Sequence, residues 1–184
     1  MMAISPQARL NIGCGRRPVA GAVNLDVSEG LGADIVHDLN CLPWPFADDT
    51  FDEVHAYDVL EHLQDVPRTL EEIHRVCRHG ASVHMTVPHF SCANAFADVT
   101  HCHWFGSRSF DPFIDSCGDP HELAHYARAR FRCSSTQIHF HPSLVNKLIR
   151  RCANRWPHAY EHRWAWMFPA WFMSVRLEVV KHAR

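Results

Sequence analysis

Residues Leu10-Asn11-Ile12-Gly13-Cys14-Gly15 read as a buried strand running into a glycine turn, and Asn24-Leu25-Asp26 read as a second strand ending in a carboxylate. The connector between them is too short for a full helix and holds a turn or two at most. The pair constrains the fold strongly, because two short strands joined this way must lie side by side in an α/β sheet. It also sets up a nucleoside site: the turn lets backbone approach a ligand, and the acid at the second strand end takes ribose hydroxyls.

Downstream, short apolar runs alternate with helical patterns, the signature of a mostly parallel sheet with helices on both faces. Strands are expected over residues 9–13, 22–27, 34–37 and 51–57. The segment from Asp38 to Phe46, with Pro43 and Pro45, reads as a rigid loop able to wall a pocket. Asp58 opens a short helical turn through Leu63. The strongest helix covers residues 65–79. Asp65 is its N-cap, Pro67 stands in its first turn, Val66, Leu70, Ile73, Val76 and Cys77 share one face, and Gly80 is its stop.

A fifth strand follows over residues 82–88, and regularity then breaks. An insertion over about 89–127 follows the carboxyl end of that strand, where loops usually carry function. A strand over 131–140, an amphipathic helix over 144–154 and a closing antiparallel strand at the sheet edge over 174–180 complete one domain, residues 1–184.

Charge and composition narrow the partners. The net charge is −2 with no basic run in the residue order that would neutralise phosphates, so no nucleic-acid partner is expected. No apolar signal core stands between Met1 and Arg9, and the eight cysteines then read as free thiols in a reducing, cytoplasmic setting. No apolar run reaches the roughly 18 residues of a membrane span. The nearest, Trp164 to Met173, is interrupted by Pro169 and reads as core or interface packing. A membrane-surface or hydrophobic-substrate surface is the other reading of that run, and its Trp and Phe content makes a homodimer reasonable.

The glycine turn does not fit a dinucleotide. Pro18 stands where the third glycine belongs, and Asp26 is too close to the turn. A phosphate-binding loop would need a Gly-Lys-Ser/Thr ending, which is missing here. The ordered set Leu10–Gly15, Asn24-Leu25-Asp26, His37-Asp38-Leu39, Leu42–Phe46, Phe51-Asp52, Asp58-Val59-Leu60-Glu61-His62-Leu63 and Glu72–Val76 resembles the class I S-adenosylmethionine-dependent methyltransferases, and within them the small methyltransferase-11-type branch. The resemblance is strongest over about residues 9–90. Tyr160-Glu161 and Phe168-Pro169-Ala170 are compatible with the same branch.

The resemblance implies a Rossmann-like methyltransferase sheet and S-adenosyl-L-methionine as cofactor. Gly13 and Gly15, with Asn11 and Cys14 beside them, would face its methionine part. Asp26, followed by Val27, would accept the ribose hydroxyls. Asp38 would meet the adenine amino group, with Leu39 beside the ring, and Tyr57, Asp58 and His62 would close the site at the end of the fourth strand. Two residues depart from the family pattern: Asn11 replaces an acid and Arg17 replaces a glycine.

Methyl transfer is an in-line displacement that needs alignment, and a base only when the acceptor carries a high-pKa proton. A small-molecule acceptor is expected, with transfer to an O, N or S atom. His89 follows the fifth strand and is expected at the pocket mouth. Asp98 and His101, three apart, can pair so that the carboxylate orients the imidazole as a general base. Trp44, Phe90, Phe96, Trp104, Phe105 and Phe110 are candidate walls for an acceptor with apolar character. Two other readings stay open. One is a cofactor-binding, non-catalytic or partner-dependent subunit. The other is a metal-dependent enzyme using His89, Cys92, His101, Cys102 and His103, although their spacing matches no zinc module and no metal is expected.

Overall fold

The computed structural model describes residues 8–30, 32–115 and 128–181. Its strands are β1 (Arg9–Ile12), β2 (Val23–Asp26), β3 (Ile35–Val36), β4 (Phe51–Tyr57), β5 (Cys77–Pro88), β6 (Phe131–His139) and β7 (Phe172–Val179). They form one sheet in the order β3-β2-β1-β4-β5-β7-β6. The first five pair in parallel, and β7 runs antiparallel to both β5 and β6. The helices are α1 (Val66–Val76), the short α2 (Asn94–Ala97), α3 (Leu144–Arg155) and α4 (Pro157–Arg163), with single 3-10 turns at Leu60–His62 and Asp111–Phe113. This is the mostly parallel, helix-flanked Rossmann-like sheet expected.

Alternation along the strands builds the core. In register, Leu10, Ile12, Val54, Ala56, Val83, Met85, Val175 and Leu177 share one face, and all are buried. Each large aliphatic side chain so placed contributes about 1.5–3 kcal/mol. The opposite face is polar along its centre, with buried His55 and half-buried Glu53, Tyr57, His84 and Ser174.

The helix after β4 starts as its sequence dictates. Asp65 accepts a hydrogen bond from the Arg68 amide at 2.9 Å, and Pro67 occupies the first turn. It ends at Val76, three residues earlier than the pattern predicts. Cys77 instead pairs with Phe51, and Arg78 takes both oxygens of Asp52 at 2.7 Å. Gly80 therefore lies in an irregular stretch of β5 and does not stop the helix.

Three other expectations change. The closing strand begins at Phe172 and lies one place inside the sheet, with β6 outside it. Its alternation reports which face is buried and is silent on lateral position. The proline loop docks on α1 and does not wall the main cavity: Trp44 is buried, its amide donates to Glu72 at 2.6 Å, and its indole donates to Leu39 O at 3.1 Å. The Trp164–Met173 run is split. Ala165, Ala170 and Met173 are buried, while Trp164, Trp166 and Met167 face solvent. Among the described residues no helix is long and apolar enough to cross a membrane, and seven cysteines are free thiols. Cys117 and the last part of the insertion, 116–127, lie outside the described residues.

Candidate active site

The candidate nucleoside end is built from the carboxyl ends of β1 and β2. Gly13 and Gly15 both have positive φ, +61° and +48°. A Cβ on Gly13 would lie 2.3 Å from Val59 Cγ2, so packing as well as φ demands glycine there. A Cβ on Gly15 would meet nothing within 4 Å, which leaves an open cradle at the turn. Buried Asp26 faces it: Oδ2 accepts the Gly15 amide at 2.8 Å and Oδ1 accepts the Ser28 amide at 2.9 Å. Each oxygen keeps a second lone pair for a hydroxyl.

Asn11 is tied into the same end of the sheet. Its Nδ2 donates to Asn24 Oδ1 at 2.9 Å and to Arg17 O at 3.2 Å, holding the connector over β1. Buried Cys14 donates its amide to Leu25 O. Val27 is largely exposed beyond the strand end. Asp38 is exposed in a turn that receives the Asn40 amide at 2.9 Å, with Leu39 buried behind it.

A cavity of about 920 Å³ opens beside this end. Tyr57 at the end of β4 with Asp58 just after it, Thr86 and Pro88 from β5, and Phe172 at the start of β7 with Trp171 just before it line the cavity, with Arg17, Glu61, His62, Asp98 and His101. Asp58 bridges the two parts of the site. It has φ +52°, accepts the Thr86 hydroxyl at 2.9 Å and pairs with Arg17 at 2.9 Å. The Tyr57 hydroxyl is 2.9 Å from His55 Nδ1.

On the cavity wall the insertion meets the turn after β4. His101 Nδ1 donates to the Ala95 carbonyl at 3.1 Å, since a carbonyl can only accept. The Nε2 lone pair is thereby left available. His62 Nδ1 lies 2.8 Å from the Thr100 hydroxyl, which itself donates to Asp98 Oδ1 at 2.7 Å, so His62 also keeps its Nε2 lone pair. Glu61 is 1% exposed, and its Oε2 has no hydrogen-bond partner. Burial pushes its carboxyl up to about 7, with the charges of Asp58 and Asp98 adding to the effect. Ligand atoms of Glu61, His62 and His101 lie within 4.8 Å of one another.

Residues 10–85 match a family model described as a methyltransferase domain. An S-adenosylmethionine-dependent methyltransferase from Archaeoglobus fulgidus superposes with a TM-score of 0.62 at 14% identity, over 94% of this chain and 86% of that one. One from Mesorhizobium loti gives 0.58 at 15%, over 97% and 93%. The chain has the class I S-adenosylmethionine-dependent methyltransferase fold. The same methyltransferase fold occurs in the 4+2 cyclase SpnF, with a TM-score of 0.57 at 15% identity over 96% of this chain and 76% of that one. No curated protein matches by sequence.

Within this methyltransferase fold most of the expected residues fall into two groups. Gly13, Cys14, Gly15 and Asp26 converge at the nucleoside end, while Tyr57, Asp58, His62, Asp98 and His101 converge on the cavity. His89 joins neither group. Its side chain is fully buried, with Nδ1 on Ser91 Oγ at 2.8 Å and Nε2 on Glu161 at 3.3 Å, so it braces the insertion against α4 and does not stand at the mouth. Asp98 is half exposed and 3.9 Å from His101, too far to hydrogen-bond it; Ala95 orients the ring instead.

The expected aromatic walls are elsewhere too. Trp44, Phe105 and Phe110 are in the core, and Phe96 stacks on Trp104. The cavity's aromatic lining is Tyr57, Trp171 and Phe172. Among the described residues the five His and Cys ligand candidates of the insertion do not gather; only His101 joins a cluster, and its neighbours there come from the turn after β4. Sequence reasoning left Glu61 and Arg17 out of the site. Glu61 had a signal, a carboxylate next to His62 in the short turn after β4. Arg17 was visible only as a departure from the glycine pattern.

Proposed function

We propose that this chain is a methyltransferase that uses S-adenosyl-L-methionine to methylate an O, N or S atom of a small molecule, working as one domain in a reducing, cytoplasmic setting. The observation that carries the reading is the junction of the Gly13–Gly15 cradle with Asp26 beside the cavity. The open space at Gly15 and the spare lone pairs of Asp26 fit the cofactor. Gly13, Gly15, Asp26, Asp38 and Leu39 would hold it, with Asp58 and Tyr57 at its reacting end. When bound, the cofactor supplies the electrophilic methyl carbon. The chain's own residues align the acceptor between Tyr57, Trp171 and Phe172, and His101 Nε2 takes a proton from it.

Calorimetric titration with S-adenosylmethionine and S-adenosylhomocysteine tests the cofactor assignment. Wild type binds in the micromolar range, and Asp26→Ala weakens binding at least about thirtyfold, the loss of two charge-assisted hydrogen bonds. Absence of binding by folded wild-type protein overturns the reading and leaves a likeness of fold alone. Binding without turnover on any acceptor, together with a partner retained on purification, supports a partner-dependent subunit instead.

A second reading, metal-assisted transfer, is favoured by one observation: Glu61, His62 and His101 form a carboxylate–imidazole set with both rings fixed by their Nδ1 bonds. Such orientation is what metal-ligating histidines require. In that reading His101 Nε2 is a ligand and not a base. Full activity after strict chelation excludes it, and activity restored by a divalent ion supports it.

A further inference from the structure

The hairpin of α3 and α4, inserted between β6 and β7, forms a surface that the site above does not use. Residues 141–169 contain Lys147, Arg150, Arg151, Arg155 and Arg163, all exposed, and one acid, Glu161. That acid is already engaged: it accepts the Ser107 amide at 2.6 Å and the Ser107 hydroxyl at 2.8 Å, and faces His89. None of the five cations forms an ion pair with a described residue.

The same surface is apolar. At 100° per residue Leu144, Val145, Leu148 and Cys152 fall along one side of α3, with Arg155 at its end among them, Lys147 and Arg151 on its border and Arg150 on the far side. Leu144 is 83% exposed, Leu148 67% and Trp166 70%. Between the two helices runs an apolar groove of about 400 Å³, with Trp156 and Trp164 on its rim. A soluble surface rarely leaves this much large apolar side chain in one patch.

Two features decide what covers it. An interfacial helix shows this arrangement, with its apolar side at the acyl boundary, tryptophans at headgroup level and cations on lipid phosphates. A second copy of the chain fits poorly, because a two-fold contact sets the patch against itself and opposes cation to cation. We propose that the α3–α4 hairpin docks this methyltransferase-fold chain on the surface of an anionic lipid bilayer without crossing it. Trp171, stacked on His141 at the start of the hairpin, also lines the cavity, so the docked face and the cavity adjoin. The inference rests on the hairpin alone and stands whether or not the methyl-transfer reading holds.

Co-sedimentation with vesicles of phosphatidylcholine alone, and of phosphatidylcholine with phosphatidylglycerol, tests it. The expected result is partition onto the mixed vesicles only, a blue shift in tryptophan emission, and weakening as salt rises. Lys147→Glu with Arg151→Glu lowers that partition at least about tenfold, Lys147→Arg with Arg151→Lys retains it, and Leu148→Ser lowers it without a change of charge. Circular dichroism and calorimetry with S-adenosylhomocysteine, run on each variant, separate lost docking from lost folding. Equal partition onto both vesicle types, or onto neither, overturns the proposal. So does self-association that grows with protein concentration and produces the emission shift in the absence of vesicles.

Discussion

The candidate nucleoside end and the cavity lie at the same carboxyl end of the parallel strands but are assembled differently. At the candidate nucleoside end, residues two to eleven positions apart meet through backbone: the Gly15 and Ser28 amides on Asp26, and the Asn40 amide on Asp38. At the cavity, side chains from distant segments meet: Glu61 and His62 with Asp98, Thr100 and His101, and Arg17 with Asp58. The first arrangement survives changes elsewhere because local geometry makes it. The second depends on how the insertion folds back, and it sets the buried carboxyl of Glu61 beside two imidazoles.

The largest expected effect tests whether the nucleoside end is as rigid as its backbone bonding indicates. Gly13→Ala combines a positive φ with a Cβ 2.3 Å from Val59, and it should destabilise the chain by about 3 kcal/mol. Urea unfolding measures it, and a cost below about 1 kcal/mol would mean that the turn shifts freely.

At the cavity, His101→Ala should lower turnover by about a hundredfold and leave cofactor affinity within about twofold, because the ring acts on the acceptor. Equal losses in both quantities would join the two regions into one coupled site and break the contrast.

The next effect appears as stability against pH. The Glu61 carboxyl stands at about 7 in the fold, against 4.5 when unfolded, so the folded chain holds that proton more tightly. Its contribution is fully present below about pH 4.5 and is lost as pH rises through 7. Glu61→Gln removes the dependence. In chelating buffer the stability of the variant relative to wild type should improve by about 2 kcal/mol between pH 5 and pH 8, read from denaturation midpoints. A gap that does not change with pH would mean that Glu61 is solvated and that the cavity wall is no drier than the nucleoside end.

Much of this architecture was readable from residue order. The β1 glycine turn, the β2 acid, the Asp65 cap and the amphipathic α1 depend on neighbours within a few positions, and local patterns report them. The end of α1 was not readable, because Arg78 finds Asp52 across a loop. Nor was the fate of His89, whose partner Glu161 lies 72 positions away. The aromatic walls were misassigned for the same reason. A phenylalanine in an insertion looks alike whether it enters the core, as Phe105 does, or stacks outside on a tryptophan, as Phe96 does.

Residue order by itself determined the α/β sheet, the turn that can receive a nucleoside and the acid that faces it, because steric limits on the backbone and period-two burial act locally. Only the tertiary structure decided that β7 lies inside β6, that Glu61, His62 and His101 converge, and that five cations share an exposed apolar hairpin. Those outcomes come from long-range packing, in which each side chain's environment is set by segments that sequence spacing does not bring near.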